Sequence, residues 1–258
     1  MGPVAIKLFQ SLGDAALVNT HLKLTQRHVG SAYLILLLLS SVGRAESIEW
    51  VRPVAGAITV SGTAADGLGN VYVSGSAYGT LGETNTGSTD AFIGKYDSGG
   101  NILWSRELGT SSSDTSSGVA IDGLGSVYIV GTTQGDLGGP NAGPDDVFVG
   151  KYDASGDHIW TRQLGKNGLD QGYGVSADKL GNVYIAGATS GNLAGTTGGD
   201  FDAFVSKYDT AGNLLWSRQV SMSESGNAVS YDGLGNVYVW FGHRVAGGPQ
   251  SICLWRLY

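Results

Sequence analysis

The feature that most constrains this chain is that it writes the same text several times at a fixed interval. "KYDSGGNILWSRELG" begins at Lys95, "KYDASGDHIWTRQLG" at Lys151 and "KYDTAGNLLWSRQVS" at Lys207, 56 residues apart each time. A second phrase keeps the same beat: "DGLGNVYVSG" from Asp66, "DGLGSVYIVG" from Asp122, "DKLGNVYIAG" from Asp178 and "DGLGNVYVWFG" from Asp232. A period of this size marks a solenoid, a propeller or an array, in which a unit buries its apolar surface against its neighbours.

Helical units are excluded, because no copy carries an apolar 3.6-residue pattern of useful length. Each copy instead holds four short β-prone runs. In the second they are "GVAID" near Gly118, "SVYIVG" near Ser126, "DVFVGKYD" near Asp146 and "HIWTRQLG" near His158. "DGLGS" joins the first two and "DASGD" the last two, both Asp/Gly hairpin turns. The long Gly/Thr-rich "TTQGDLGGPNAGPD" joins the middle pair. Four antiparallel strands per unit make one blade of a β-propeller. The 43 glycines fit that reading: they punctuate turns and follow no three-residue collagen period.

The phase of the repeat predicts how the ends meet. "SIEWVRPVAG" aligns with the fourth-strand phrase and places Trp50 where Trp104, Trp160 and Trp216 sit; "SICLWRLY" aligns with a third strand. An N-terminal strand around Trp50 would therefore complete the last blade and leave no open edge. The expected fold is an all-β propeller of about four four-stranded blades over residues 46–258. A competing reading comes from the tail after Val239, where "WFGHRVAG" leaves the repeat phrase and a one-base change of frame restores it. On that reading the four units are a fragment of a larger propeller, and the ring closes as a dimer rather than a monomer.

Residues 1–45 belong to a different text. A basic flank, "KLTQRH", precedes a short apolar core from Ala32 to Leu39, and Gly43-Arg44-Ala45 puts small residues at −3 and −1. This is the pattern of a secretory signal peptide cleaved near Ala45, and its core is too short to cross a bilayer. The expected location is extracellular, at the cell surface or in the periplasm, with no transmembrane segment in the mature chain. Cleavage removes Lys7, Lys23, Arg27, Arg44 and Asp14 and takes the formal net charge from −7 to −10. So acidic a surface repels phosphate backbones and argues against nucleic acid. The single cysteine, Cys253, excludes an intramolecular disulfide framework.

"DKLGNVYIAGATSGNLAGTTGGDFDAF", read on into "DAFVSKYDTAGNLLWSRQV", resembles the bacterial β-propeller repeat called SBBP, over roughly Trp50 to Val239. The resemblance implies a secreted or surface-associated bacterial protein and brings no catalytic residue set with it. The chain departs from the family in having about four units where seven blades are implied.

Three series of repeated residues invite a role. Trp50, Trp104, Trp160 and Trp216, on fourth strands, are expected to pack between blades. Asp66, Asp122, Asp178 and Asp232 in one hairpin, with Asp97, Asp153 and Asp209 in the other, are expected to accept turn amides. The third series is the candidate site. Asp90, Asp146 and Asp202 end the long loop, Asp114, Asp170 and Glu224 lie between blades, and Asp145 makes the second blade the most acidic corner. Both loop types leave on one face, so these carboxylates are expected to form a ring that caps loops, binds hydroxyl-rich or basic ligands, or holds Ca²⁺.

No enzyme pattern emerges. His158 and His243 make no zinc cluster and belong to no nucleophile–base arrangement. The expected function is a non-enzymatic binding or scaffold module for a protein or glycan, without a cofactor. The alternative is a polysaccharide hydrolase or lyase working through paired acids such as Asp146 and Asp202.

Overall fold

The computed structural model describes residues 58–79, 87–195, 201–220, 225–243 and 251–257, together with four two-residue strands nearer the N-terminus. In those short pieces Ala5–Ile6 pairs with Leu22–Lys23, and Leu39–Ser40 with Ser47–Ile48. The rest of the expected leader, Trp50, Glu224 and residues 244–250 lie outside the described residues. Among the described residues, no helix is long and apolar enough to cross a membrane.

The chain is a β-propeller of antiparallel meanders. Blade 1 is Ile58–Ala65, Val71–Ala77, Asp90–Tyr96 and Ile102–Leu108. Blade 2 is Asp114–Ile121, Val127–Thr133, Asp146–Tyr152 and His158–Leu164. Blade 3 is Asp170–Ala177, Val183–Thr189, Asp202–Tyr208 and Leu214–Val220. Blade 4 has three described strands, Ser225–Tyr231, Val237–His243 and Ser251–Leu257.

Second and third strands of blades 1 to 3 are buried along almost their whole length, which is why they read as continuous apolar runs rather than alternations. Fourth strands begin exposed. The core lies between blades. Tyr128, Val130, Val147 and Trp160 of blade 2 pack on Val183, Ile185, Phe204 and Tyr208 of blade 3. Equivalent clusters join blade 1 to blade 2 and blade 3 to blade 4.

First strands lie innermost and approach one another where side chains vanish. A Cβ on Gly62 would fall 2.9 Å from Gly118 Cα, and one on Gly174 would fall 2.9 Å from Ala228 Cα. Only glycine allows that approach without displacing the neighbouring backbone.

Further out, the "K-Y-D…G…W-x-R" phrase is a latch. Trp160 Nε1 donates to Thr210 O (3.1 Å), Lys151 Nζ to Thr210 O (3.1 Å), and Arg162 Nε to Gly212 O (2.9 Å). Both acceptors belong to the last hairpin turn of blade 3. One blade earlier, Trp104 Nε1 and Lys95 Nζ reach Ala154 O in the turn of blade 2. The turn glycines Gly156 (φ 85°) and Gly212 (φ 81°) lie flat on those indoles, where a Cβ would meet the ring at 2.6 and 3.0 Å. Each Trp also packs on its own blade's tyrosine, and each Lys lies 5.0–5.2 Å from that tyrosine ring: Trp104 and Lys95 on Tyr72, Trp160 and Lys151 on Tyr128, Trp216 and Lys207 on Tyr184.

Candidate functional site

The hairpin-turn aspartates are fully engaged. Oδ1 of Asp66, Asp122, Asp178 and Asp232 accepts the N–H groups two and four residues on, at 2.8–3.0 Å. Oδ2 takes the hydroxyl of Tyr72, Tyr128, Tyr184 or Tyr238. Asp97, Asp153 and Asp209 repeat the same two-amide grip in the second hairpin. Burial of Asp66 would raise its carboxyl pKa, but hydrogen bonds from Asn70 and Leu68 and the Lys95 charge outweigh that and leave it lowered. At Asp209 the Asn213 side chain and backbone do most of the lowering.

On the opposite face, the structure places Asp90, Asp114, Asp146, Asp170 and Asp202 at the first residue of third and first strands, all at most 1% exposed. Asp114 Oδ2 accepts from Thr110 N (2.6 Å) and its hydroxyl, and Asp170 Oδ2 from Lys166 N (2.8 Å). Asp146 Oδ2 takes Ala142 N and Gln163 Nε2, both at 2.8 Å, and Asp202 Oδ2 takes Gln219 Nε2 at 2.9 Å. Gln163 and Gln219, which sequence reasoning passed over, complete the caps: each side-chain oxygen accepts two amides of the long loop, from Leu137 and Gly138 or from Leu193 and Ala194. Asp90 and Asp146 lie against Gly109 and Gly165, where no Cβ fits.

Neighbouring blades bring these acids together in pairs. Asp114 N donates to Thr89 O and Asp170 N to Asp145 O, so Asp90 stands beside Asp114, and Asp145 and Asp146 beside Asp170. Oδ1 of Asp114, Asp146 and Asp170 is buried with no hydrogen-bond partner among the described residues. Burial pushes the Asp170 carboxyl up, and the charges of Asp146 and Asp145 push it further, against hydrogen bonds from Thr189 and Lys166. Among the described residues, no group of three or more His, Cys, Asp or Glu side chains is placed to hold a metal ion. His158 Nε2 lies 2.8 Å from Thr161 Oγ1 in its own hairpin.

Asp145 behaves differently from its neighbours. It is half-buried, and its oxygens accept from Gln134 Nε2 (3.0 Å) and Gln171 Nε2 (3.2 Å). Gln171 Oε1 in turn accepts the Tyr173 hydroxyl at 2.6 Å. The chain of contacts runs from the loop face to the middle of the molecule, and none of its four residues belongs to the repeat. Tyr173 stands where blades 1, 2 and 4 carry Ser61, Ser117 and Asn227. Gln171 replaces Thr59 and Thr115, Asp145 replaces Thr89 and Phe201, and Gln134 replaces Tyr78 and Ser190.

Tyr173 ends at a cavity of about 250 Å³ bounded by the first strands of all four blades. Each first strand carries a β-bulge, and the extra residue is Ser61, Ser117, Tyr173 or Asn227. A bulge re-aims a side chain that regular pleating would hide, and all four of these residues line the cavity.

Residues 103–138 and 159–194 match the SBBP family, a beta-propeller repeat. Each matched stretch runs from the fourth strand of one blade across the first two strands of the next. The regulatory protein FlaEY of Caulobacter vibrioides is 31% identical over 145 residues, covering 51% of this chain and 15% of that protein. An uncharacterized WD repeat-containing protein of Acanthamoeba polyphaga mimivirus is 28% identical over 181 residues, 58% of this chain and 13% of that protein. The chain thus spans about a seventh of these curated relatives. A solved structure of a Bacteroides caccae protein of unknown function superposes on 92% of this chain and 72% of its own, with a TM-score of 0.46 at 13% identity.

Proposed function

We propose, from the premise that the chain is built of SBBP beta-propeller repeats, that it works as an exported, non-enzymatic binding module for a protein or glycan. The observation that carries this is how the loop-face acids are used. Asp146 and Asp202, the pair a polysaccharide-cleaving enzyme would employ, are buried, and each holds a loop-pinning glutamine, Gln163 or Gln219. Carboxylates held this way stiffen loops and do not meet a substrate bond. Rigid loops on a propeller are a surface for recognition.

The test is to incubate the purified chain with soluble starch, xylan and pectin and follow reducing ends. The reading expects no release above buffer from the wild-type chain. Release that disappears in Asp146→Asn or Asp202→Asn would establish the hydrolase reading instead. Export is tested separately: secreted from a bacterial host, the chain should begin near Glu46, and retention of residues 1–45 would contradict it.

A further inference from the structure

We infer that the central cavity beside Tyr173 is a binding site for one ring of a neutral sugar, presented at a glycan end. The inference rests on the binding-module reading above and assigns its site and ligand class.

The lining chemistry does the selecting. The four re-aimed side chains are two serines, an asparagine and a tyrosine, and the other lining positions are glycine, alanine, valine and threonine. Among the described residues, none that lines it is charged. Nothing in that lining offers a counter-charge to offset the hydration that an anion or cation would give up there, which disfavours a charged ligand. A purely apolar ligand would take the Ser61 and Ser117 hydroxyls out of water and give them nothing in return, at a cost for each. A ligand carrying several hydroxyls around a partly apolar ring satisfies both conditions, and a pyranose is such a ligand. The size agrees: about 250 Å³ lies below the roughly 300–1,000 Å³ of drug-sized sites, enough for one ring and not for a buried oligomer.

Tyr173 is the residue that turns a generic channel into a site. Among the described residues it is the sole aromatic side chain lining the cavity, and aromatic rings offer a flat apolar face; that of tyrosine has a polar tip. Its hydroxyl is held by Gln171, which is held by Asp145, which is held by Gln134. Burial and the Asp145 charge raise the Tyr173 pKa, so its hydroxyl stays protonated and neutral at physiological pH. Such a chain fixes the ring before any ligand arrives, which lowers the ordering cost of binding. Tyr173 is half-buried, Ser61 and Asn227 are exposed, and so the cavity is open to solvent.

The experiment is ligand-observed NMR followed by calorimetry on the full mature chain, using methyl α-D-mannopyranoside, methyl β-D-glucopyranoside and methyl β-D-galactopyranoside at millimolar concentration. At least one should bind the wild-type chain. Tyr173→Ser, which installs the residue of blades 1 and 2, should weaken that binding by about tenfold or more with an unchanged melting temperature. Tyr173→Phe, which keeps the ring and releases Gln171, should bind with intermediate strength. Failure of all three glycosides to bind the wild-type chain overturns the inference. If a glycoside binds but Tyr173→Ser binds it equally well, the cavity assignment fails and the binding-module reading stands. If the bound glycoside is cleaved, that reading fails, whatever Tyr173 does.

Discussion

On the hairpin face, Asp66, Asp122, Asp178 and Asp232 each make the same four-residue grip. The residues around them change so little that one blade describes the others. On the loop face, Asp114, Asp146 and Asp170 are buried, each with one oxygen capping a loop and the other oxygen unpartnered among the described residues. Beside them the sequence changes from blade to blade. On the first face Oδ1 of each of these aspartates finds both its N–H groups within four residues, so that turn geometry survives in each copy. The second is assembled across blade junctions, from residues such as Asp145 and Gln171 that are 26 positions apart. What repeats joins the blades, and what breaks the repeat is where the proposed site lies.

The comparison can be broken most forcefully at the latch. Trp160→Ala removes a 93%-buried indole, its bond to Thr210 and the surface under Gly212. Large-to-small changes of this kind cost about 3–5 kcal/mol, read as a lower denaturant midpoint. A cost under about 1 kcal/mol would mean the indoles are not the inter-blade seam.

Next comes the buried cap. Asp146→Ala leaves Ala142 N and the Gln163 amide without their acceptor, and each such loss costs about 1–3 kcal/mol. The same change at the half-buried turn residue Asp153 should cost about 1 kcal/mol. Equal costs at the two positions would erase the distinction between the faces.

A smaller effect carries the opposite sign on the two faces. Folded Asp170 has a carboxyl pKa raised above the ordinary 3.8. In the window just above 3.8 it therefore binds more protons than the unfolded chain does, and its contribution to stability falls as pH rises through that window. Asp66 and Asp209 are lowered; their contribution is present above 3.8 and is lost as pH falls below it. Accordingly the stability of Asp170→Asn relative to wild type should improve as pH is raised above 3.8, whereas Asp209→Asn should lose ground as pH is raised toward 3.8 from below. A pH-independent difference for Asp170→Asn would contradict the burial argument.

These differences also mark how much could be read in advance. The blades, their strand order and both hairpins are written locally, in Asp-x-x-Gly turns and β-prone runs, and the recurrence at 56 residues multiplies a weak signal into a strong one. Burial of the loop-face acids is not written locally. An aspartate at the end of a Gly-rich loop reads as solvent-facing, and what covers it is the backbone of Gly109 or Gly165, which only the paired fourth strand brings near. The Tyr173 chain was hidden for a related reason. The phrases that recur do not contain Gln134, Gln171 or Tyr173, and of the four residues only Asp145 is conspicuous, through its charge. Aligning the copies and keeping what disagrees would have exposed all four residues, though not the bulge that turns Tyr173 toward the cavity.

The most direct test is the thermal midpoint of a chain with the repeat restored at those four places: Gln134→Ser, Asp145→Thr, Gln171→Thr and Tyr173→Ser, each residue borrowed from another blade. If these residues bind rather than build, the midpoint should stay within about 2 °C of wild type, equivalent to roughly 1 kcal/mol or less for a domain of this size. A fall of about 8 °C or more would show that Gln134, Asp145, Gln171 and Tyr173 hold the ring together, and would contradict the division between what repeats and what binds.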